Sequence, residues 1–546
     1  MFYAYYAGVF VQDDWRIRKN LTLNIGLRFD HDFPYHEKWA RTVNGFAFDA
    51  TNPLNAAASA AYAKSPIPQL PPSQFKVMGG LTFASADNTA VYSNTSHMVS
   101  PRIGLAWTPE KLHGKSVVRV GGGMFVAPVT IAQLGASGAY STNPLLTQQG
   151  FSQSTAFKDS NDAYLTPAST LSNPFPGGIQ QPVGSANGLT TFANQAVSFL
   201  NPEVKSPYAL RWNFSIQHSF TPNLMVEVTY LGTHSVHLPV SYTQMNGIPR
   251  QYLSTLPVRD QALITAMSVT APNPFAGLVS GASATSSTAQ LLSKYPQYPV
   301  FSGGFVSSAS GVTEYNLNVG SSHYNAINAR MIKRFSKGLQ LTLGYMKSNN
   351  VEQMTWLNDS DGAPERRASP FDRPTRVTMT MTYDLPVGRG RLVDVQNSVL
   401  NTILGGWKVA ATYQYQAGGP IMWNNNDYVY FGGDMKLNAR SVDTPAFDKS
   451  VFDTGTATQF QYHIRTFSTS FSSLRSDGIN DLATSLMKNF RLAEKITLQF
   501  KADAFNAVNH AVFAAPNVTP TNSLFGTITA QANRPRLMQL SAKINF

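Results

Sequence analysis

The fold class this sequence predicts is all-β: an antiparallel barrel whose strands cross a membrane. Three observations predict it. Apolar and polar residues alternate strictly in many short segments. No segment is apolar for long enough to cross a membrane as a helix. The links between the alternating segments are short and long by turns.

The stretch "NLTLNIGLRFD", residues 20–30, shows the alternation. Leu21, Leu23, Ile25, Leu27 and Phe29 fall on one face, and Asn20, Thr22, Asn24, Gly26, Arg28 and Asp30 on the other, because side chains along a strand point to opposite faces. In a soluble protein the apolar face meets a core. In an outer-membrane barrel it meets lipid, and the polar face lines the lumen. On the membrane reading Leu23 faces lipid and Thr22 the lumen. The same pattern recurs in "LRWNFSIQHSF", "LMVEVTY", "LQLTLGY", "VTMTMTYDL", "WKVAATYQYQ" and "ITLQFKADA", with Arg211, Glu227, Lys408, Lys501 and Asp503 all on the polar face. Such sustained alternation with charges on one face is what a barrel wall requires.

Composition agrees. Of 546 residues, 13% are charged and 12% aromatic, against about a quarter charged in ordinary soluble domains. No window approaches the roughly 18 consecutive apolar residues of a membrane helix. The absence of cysteine excludes a disulfide scaffold, a thiol nucleophile and a cysteine metal site. The net charge of +12 is scattered, without the Lys/Arg clusters of a nucleic-acid interface, so no nucleic-acid partner is expected.

The alternation marks thirteen strands, at 5–15, 20–30, 101–108, 116–127, 207–220, 223–234, 322–335, 338–348, 375–385, 406–417, 485–492, 495–506 and 534–546. Long links fall at about 31–100, 128–206, 235–321 and 418–484, with shorter ones of the same set at 349–374 and 507–533. Between them are brief turns such as "RIRK", "TPN", "SKG" and "AEK". Outer-membrane barrels have brief periplasmic turns and longer extracellular loops. One link breaks the rule: 386–405, "PVGRGRLVDVQNSVLNTILG", is long where a short turn is due. With short turns inside, the first strand starts outside, whereas a complete single-chain barrel begins and ends in the periplasm with an even strand count. "MFYAYYAGVF" also lacks the basic region, apolar stretch and cleavage site of a signal peptide. The expectation is a single domain, 1–546, forming the C-terminal part of a larger barrel.

Trp15, Trp107 and Trp407 fall at the periplasmic ends of their strands and Trp212 near the outer end, as aromatics at a membrane interface do. The final segment "LMQLSAKINF" places Met538, Leu540, Ala542, Ile544 and Phe546 on one face, where a soluble chain ends in a frayed polar tail.

These segments carry a family resemblance. "GVFVQDDWRIRKNLTLNIGLRFD" resembles the barrel of TonB-dependent receptors. "ALRWNFSIQHSFTPNLMVEVTYLGTHSVHL", "FDRPTRVTMTMTYDLPVGRGR", "ILGGWKVAATYQYQAGGP", "LQFKADAFNAVNHAVF" and "NRPRLMQLSAKINF" resemble, in order, the Oar-like subgroup that carries an N-terminal carboxypeptidase-regulatory-like domain. The resemblance implies a 22-stranded barrel in outer-membrane lipid, plugged by an N-terminal domain, importing scarce nutrients with energy passed from the inner membrane. It further implies that the plug, the energy-coupling box that meets the TonB complex and the first strands lie outside these residues. It implies that Phe546, with Ile544 and Leu540 on its face, marks the chain for the barrel-assembly machinery.

No catalytic motif stands out, and no cofactor or metal is expected. His234 and His237 are three apart, a spacing that puts them on opposite faces of a strand; His31 and His36 fall in a loop. "GGGMF" at 121–125 lacks the helix and Lys-Ser/Thr of a phosphate loop and reads as close packing in a strand. Asp13 and Asp14 face opposite ways. Ligand specificity is expected from lumen and loops, including "YSTNPLLTQQGFSQST" and "MWNNNDYVYFGG", whose aromatics and amides suit sugars, peptides or large flat ligands; for a transporter the expected ligand is a carbohydrate, a peptide or a metal chelate. Three functions follow: a nutrient transporter, an adhesion or surface-structural protein on the same barrel, and a soluble all-β enzyme or lectin.

Overall fold

The computed structural model describes residues 1–93, 96–129, 150, 151, 170–175, 178, 179, 181–300, 311–423, 428–437 and 445–546. The alternating segments form thirteen strands: β1 (Tyr6–Arg18), β2 (Leu21–Asp32), β3 (Ser96–Trp107), β4 (Ser116–Val126), β5 (Tyr208–Thr221), β6 (Leu224–Gln244), β7 (Val312–Ser336), β8 (Leu339–Gln353), β9 (Thr375–Asp384), β10 (Lys408–Gln416), β11 (Ile479–Arg491), β12 (Thr497–Phe505) and β13 (Leu537–Asn545). Each is hydrogen-bonded to the next in chain order, so the wall is one antiparallel meander. The short strand Val197–Leu200 adds in parallel to β7, and Arg367–Ala368 to β8. Among the described residues the end strands β1 and β13 pair on one side only.

The alternation placed the strands but not all their ends. β2 continues to Asp32, β3 starts at Ser96, β6 continues to Gln244, β7 starts at Val312 and β11 at Ile479. The links expected at 31–100, 235–321 and 418–484 are therefore 33–95, 245–311 and 417–478, and that at 128–206 runs 127–207. The reason is physical. β7 has 25 residues, more than twice the roughly 9–11 that a tilted strand needs to cross a bilayer. Beyond the lipid neither face must be apolar, so pairing continues while the period-2 signal stops. Register shifts after Ser235 and after Leu238 erase it further.

The two faces have opposite character. Leu23, Ile25, Leu27 and Phe29 share their face with Leu105, Ile103, Pro101 and Val99 of β3. That face is bare: Ile103 is 59% and Leu540 69% exposed, and Val120, Phe214, Ile216, Val228 and Ile327 are exposed with them. The other face carries Thr22, Asn24, Arg28 and Asp30, and Asp30 is buried. A wall with its apolar stripe outside and its polar groups inside is built for a lipid surround.

The buried cores lie elsewhere. Four apolar clusters occupy the long-link end, and apart from Val312 and Tyr315 at the outer end of β7 their members come from the links. One cap joins links 33–95, 127–207 and 245–311, with helices α1 (Asn55–Tyr62), α2 (Gln261–Ser268) and α3 (Thr288–Leu292). Tyr62 stacks on Phe75 at 4.2 Å, and Phe46 on Phe199 at 5.2 Å. A second cap, from links 417–478 and 506–536, surrounds the buried Trp423 with Tyr428, Phe447, Phe452 and Phe467. The caps touch where Ile464 N donates to Ser254 O at 2.9 Å. A fourth helix, α4 (Ser398–Leu404), lies at the opposite end of the wall.

Trp212 shows how a strand glycine is used. Its indole lies over Gly232 of β6, where an added Cβ would stand 2.3 Å from the ring. Gly232→Val, otherwise favourable in a strand, is expected to destabilise the protein in lipid vesicles by roughly 1–3 kcal/mol through overpacking. Urea titration measures it. Trp212→Leu in the same chain should remove most of the penalty; an equal loss in both backgrounds would contradict the contact.

Candidate functional site

Register assembles a groove on the polar side of β1–β5. Gly104 stands opposite Gly121, Arg102 opposite both Gly26 and Gly123, Asn213 opposite Gly121, and Arg211 opposite Gly123. The glycines leave the wall thin. A Cβ at Gly121 would meet Asn213 Oδ1 at 2.7 Å, and one at Gly123 would meet Arg102 Cγ at 3.0 Å. The groove measures about 540 Å³ and is edged by Gln12, Asn24, Asn213, Arg102, Arg211 and Phe125.

The two guanidiniums flank one ring: Arg102 Cζ lies 4.7 Å and Arg211 Cζ 5.4 Å from the centre of Phe125. Cation–π attraction of this kind holds a guanidinium while leaving N–H groups free to donate. Neighbouring arginines are paired, Arg28 Nε to Asp30 Oδ1 at 2.8 Å and Arg119 Nη1 to Gln217 Oε1 at 3.1 Å. Among the described residues neither Arg102 nor Arg211 has an ion-pair partner. Two free cations, an aromatic face and amides at Gln12, Asn24 and Asn213 fit a planar or anionic ligand, and supply no nucleophile.

The predicted site residues take these places. Trp15 and Trp107 stand at the short-turn ends of β1 and β3, opposite Leu23 and Leu21 of β2, and Trp407 immediately precedes β10. Trp212 lies on the outward face toward the long-link end. Leu540 and Ile544 face outward opposite Ala502 and Leu498, and Phe546 follows them, fully exposed. Asp14 accepts from Asn24 on the polar face, while Asp13 shares the opposite face with Ile25. Gly121 and Gly123 sit where a Cβ would crowd Asn213 and Arg102, whereas one at Gly122 would make only ordinary contacts.

The histidines pair with partners that spacing did not single out. His31 meets His97 across β2 and β3, ring nitrogens 2.7 Å apart, and His234 stacks on His323 at 3.9 Å. His36 contacts Thr89 Oγ1 at 2.9 Å. Among the described residues no three His, Cys, Asp or Glu groups gather as a metal site.

Loop aromatics expected to display themselves to ligand are largely structural. Trp423, Tyr428, Tyr295 and Tyr298 are buried. Burial raises the Tyr295 and Tyr298 hydroxyl pKa and pushes the Glu314 carboxyl, in the part of β7 beyond the lipid, up to about 7. Most of "YSTNPLLTQQGFSQST" and residues 424–427 of "MWNNNDYVYFGG" lie outside the described residues.

A wall with a lipid-type exterior and a polar, cationic interior defines an integral β-membrane protein. Residues 1–539 match the outer membrane beta barrel domain family, and the chain belongs to it. It resides in the bacterial outer membrane, which removes the soluble all-β alternative. No helix among the described residues is long and apolar enough to cross a membrane. No curated protein matches the chain significantly. Similar solved structures include the copper transporter OprC, at 10% identity over 99% of this chain and 49% of that one, TM-score 0.39. The outer membrane transporter YddB from Escherichia coli is 9% identical over 99% and 54%, TM-score 0.39. The siderophore receptor PiuA from Acinetobacter baumannii is 11% identical over 99% and 43%, TM-score 0.35. The chain spans about half the length of these structures.

Proposed function

We propose that this wall belongs to a TonB-dependent transporter that takes up an anionic nutrient ligand, a metal chelate being the chemistry the groove fits best. The observation that carries the reading is the pair of free guanidiniums, Arg102 and Arg211, on Phe125 inside a polar lumen wall. The ordered resemblance of five segments to the Oar-like subgroup supports the transport class. Long links face outward and short turns face the periplasm, as in other bacterial barrels. Further strands cover the open edges of β1 and β13, because an unpaired edge in hydrocarbon costs several kcal/mol per group. A plug and the TonB complex act from outside these residues. The reading contains no catalytic step. A second reading, adhesion, is favoured by the size of the folded caps.

Uptake of radiolabelled ferric citrate, an anionic chelate, by cells expressing the complete gene tests it. Arg102→Gln with Arg211→Gln is expected to lower uptake about tenfold or more, the equivalent of one charged hydrogen bond, and a protonophore should abolish it. Protonophore-insensitive surface attachment, with no uptake above a gene deletion for this or other chelates, supports adhesion instead.

A further inference from the structure

The link 386–405 is the one long connection at the short-turn end, where two residues suffice between β5 and β6. It is folded. Val393 N donates to Pro386 O at 2.9 Å, Gly388 N to Val393 O at 3.0 Å and Arg389 N to Asn401 Oδ1 at 2.8 Å. Gly388 and Gly405 pass so closely that a Cβ on either would meet the other's Cα at 3.2 Å. Asn397 caps α4 by accepting from Val399 N and Leu400 N at 3.0 and 3.1 Å. At helical spacing Val399, Leu400, Ile403 and Leu404 share one side of α4, and Ser398, Asn401 and Thr402 the other. Among the described residues nothing buries the apolar side: Val399 is 68% and Ile403 55% exposed, and no residue of α4 is buried.

The position of α4 says what covers it. Trp407 Nε1 donates to Ile403 O at 2.9 Å, and Lys488 Nζ donates to Ile403 O at 3.0 Å and to Thr402 O. Both side chains stand on the outward face. Lys488 is opposite Phe500, whose ring lies 6.2 Å from that of Trp407. A lysine on a lipid-facing wall is costly. Here it is only 5% exposed, its charge set against the negative end of α4 and over the rings of Trp407 and Phe490, at 5.4 and 4.9 Å. The helix is thereby fastened to the rim of the lipid-contacting surface, and its apolar side continues that surface. Arg389 and Arg391 are exposed in the same link, as are Arg18 at the end of β1 and Lys19, Lys337 and Lys495 in other short turns.

We infer that residues 386–405 form an interfacial anchor seated in the inner leaflet of the outer membrane. Val399, Leu400, Ile403 and Leu404 enter the headgroup–acyl boundary, and Arg389 and Arg391 meet anionic phospholipid headgroups. The choice of leaflet rests on the sidedness proposed above; the seat in lipid does not.

These 546 residues have no cysteine, so, with any cysteine elsewhere in the complete protein replaced by serine, Val399→Cys, Ile403→Cys and Thr402→Cys can each carry a nitroxide. Assembly is checked by heat-modifiable gel mobility, and samples are compared in phosphatidylcholine vesicles with and without phosphatidylglycerol. The ratio of oxygen to nickel-chelate collision is expected to be several-fold higher at 399 and 403 than at 402. It should rise further with phosphatidylglycerol, and Arg389→Gln with Arg391→Gln should abolish that rise. Water-type accessibility at all three positions overturns the anchor. Shielding of 399 and 403 from both collision agents does so too, since it means protein covers the helix. Sidedness is read separately: Asn223→Cys, in a short turn, should resist an impermeant maleimide in intact cells, and its labelling there would overturn the leaflet while leaving the lipid seat standing.

Discussion

Met379→Arg is expected to destabilise the assembled protein by about 2–4 kcal/mol, while Thr380→Arg changes stability by no more than about 1 kcal/mol. The two residues are neighbours in the middle of β9 and lie at one depth. Met379 stands between Leu343 and Tyr413 on the outward face, and Thr380 between Thr342 and Thr412 on the inward face. An arginine at 379 puts its charge into hydrocarbon. At 380 it meets a lumen already lined by threonine, glutamine and charged groups. Parallel folding titrations into lipid vesicles measure the difference, and equal penalties would mean that the faces are assigned wrongly.

Glu352→Leu is expected to loosen the long-link end by about 3–5 kcal/mol, the usual consequence of stranding one member of a buried ion pair. Glu352 Oε1 accepts from Arg367 Nη2 at 3.0 Å, and Oε2 from Ser369 Oγ at 2.7 Å. Arg367 Nη1 donates to Thr469 Oγ1 at 2.7 Å, and Thr469 Oγ1 donates to Glu365 Oε2 at 2.6 Å. One carboxylate thus ties β8 and link 354–374 to the second cap. Hydrogen exchange should accelerate in 354–374 and near 469 while the centre of β8 keeps its protection. Replacing Arg367 by Met as well should recover most of the loss, because the stranded cation is then gone. Unchanged exchange in the single variant would show that the network carries no stability.

The wall was legible because two solvents enforce its pattern. Lipid on one side and water on the other leave Leu21 to Phe29 no choice but period 2, and the same holds through Val377 to Tyr383. The caps were not legible. Tyr62 meets Phe75, Phe46 meets Tyr295 and Trp423 meets Phe467, partners 13 to 249 residues apart with no period between them. Loop aromatics read as ligand contacts, although many of them are core. The groove needs Arg102 beside Arg211, and only register brings them together. His97 and His323 escaped notice for the same cause. Link 386–405 was visible as an irregularity, but the tie from Lys488 to its helix could not be read from either segment alone.

Because each wall strand pairs with its chain neighbours, the register of each hairpin is specified within that hairpin. Lengthening a flexible link adds little to the cost of closing it, about 0.6 kcal/mol per doubling, and link residues touch the wall's pairing only at its outer end, where Val197–Leu200 and Arg367–Ala368 add to β7 and β8. The exchangeable unit is therefore a cap and not a single link, because 33–95, 127–207 and 245–311 share cores and 354–374 is tied to the second cap. Recognition can diversify by exchange of whole caps, each folding around its own core, while thirteen strands go on satisfying the same two solvents.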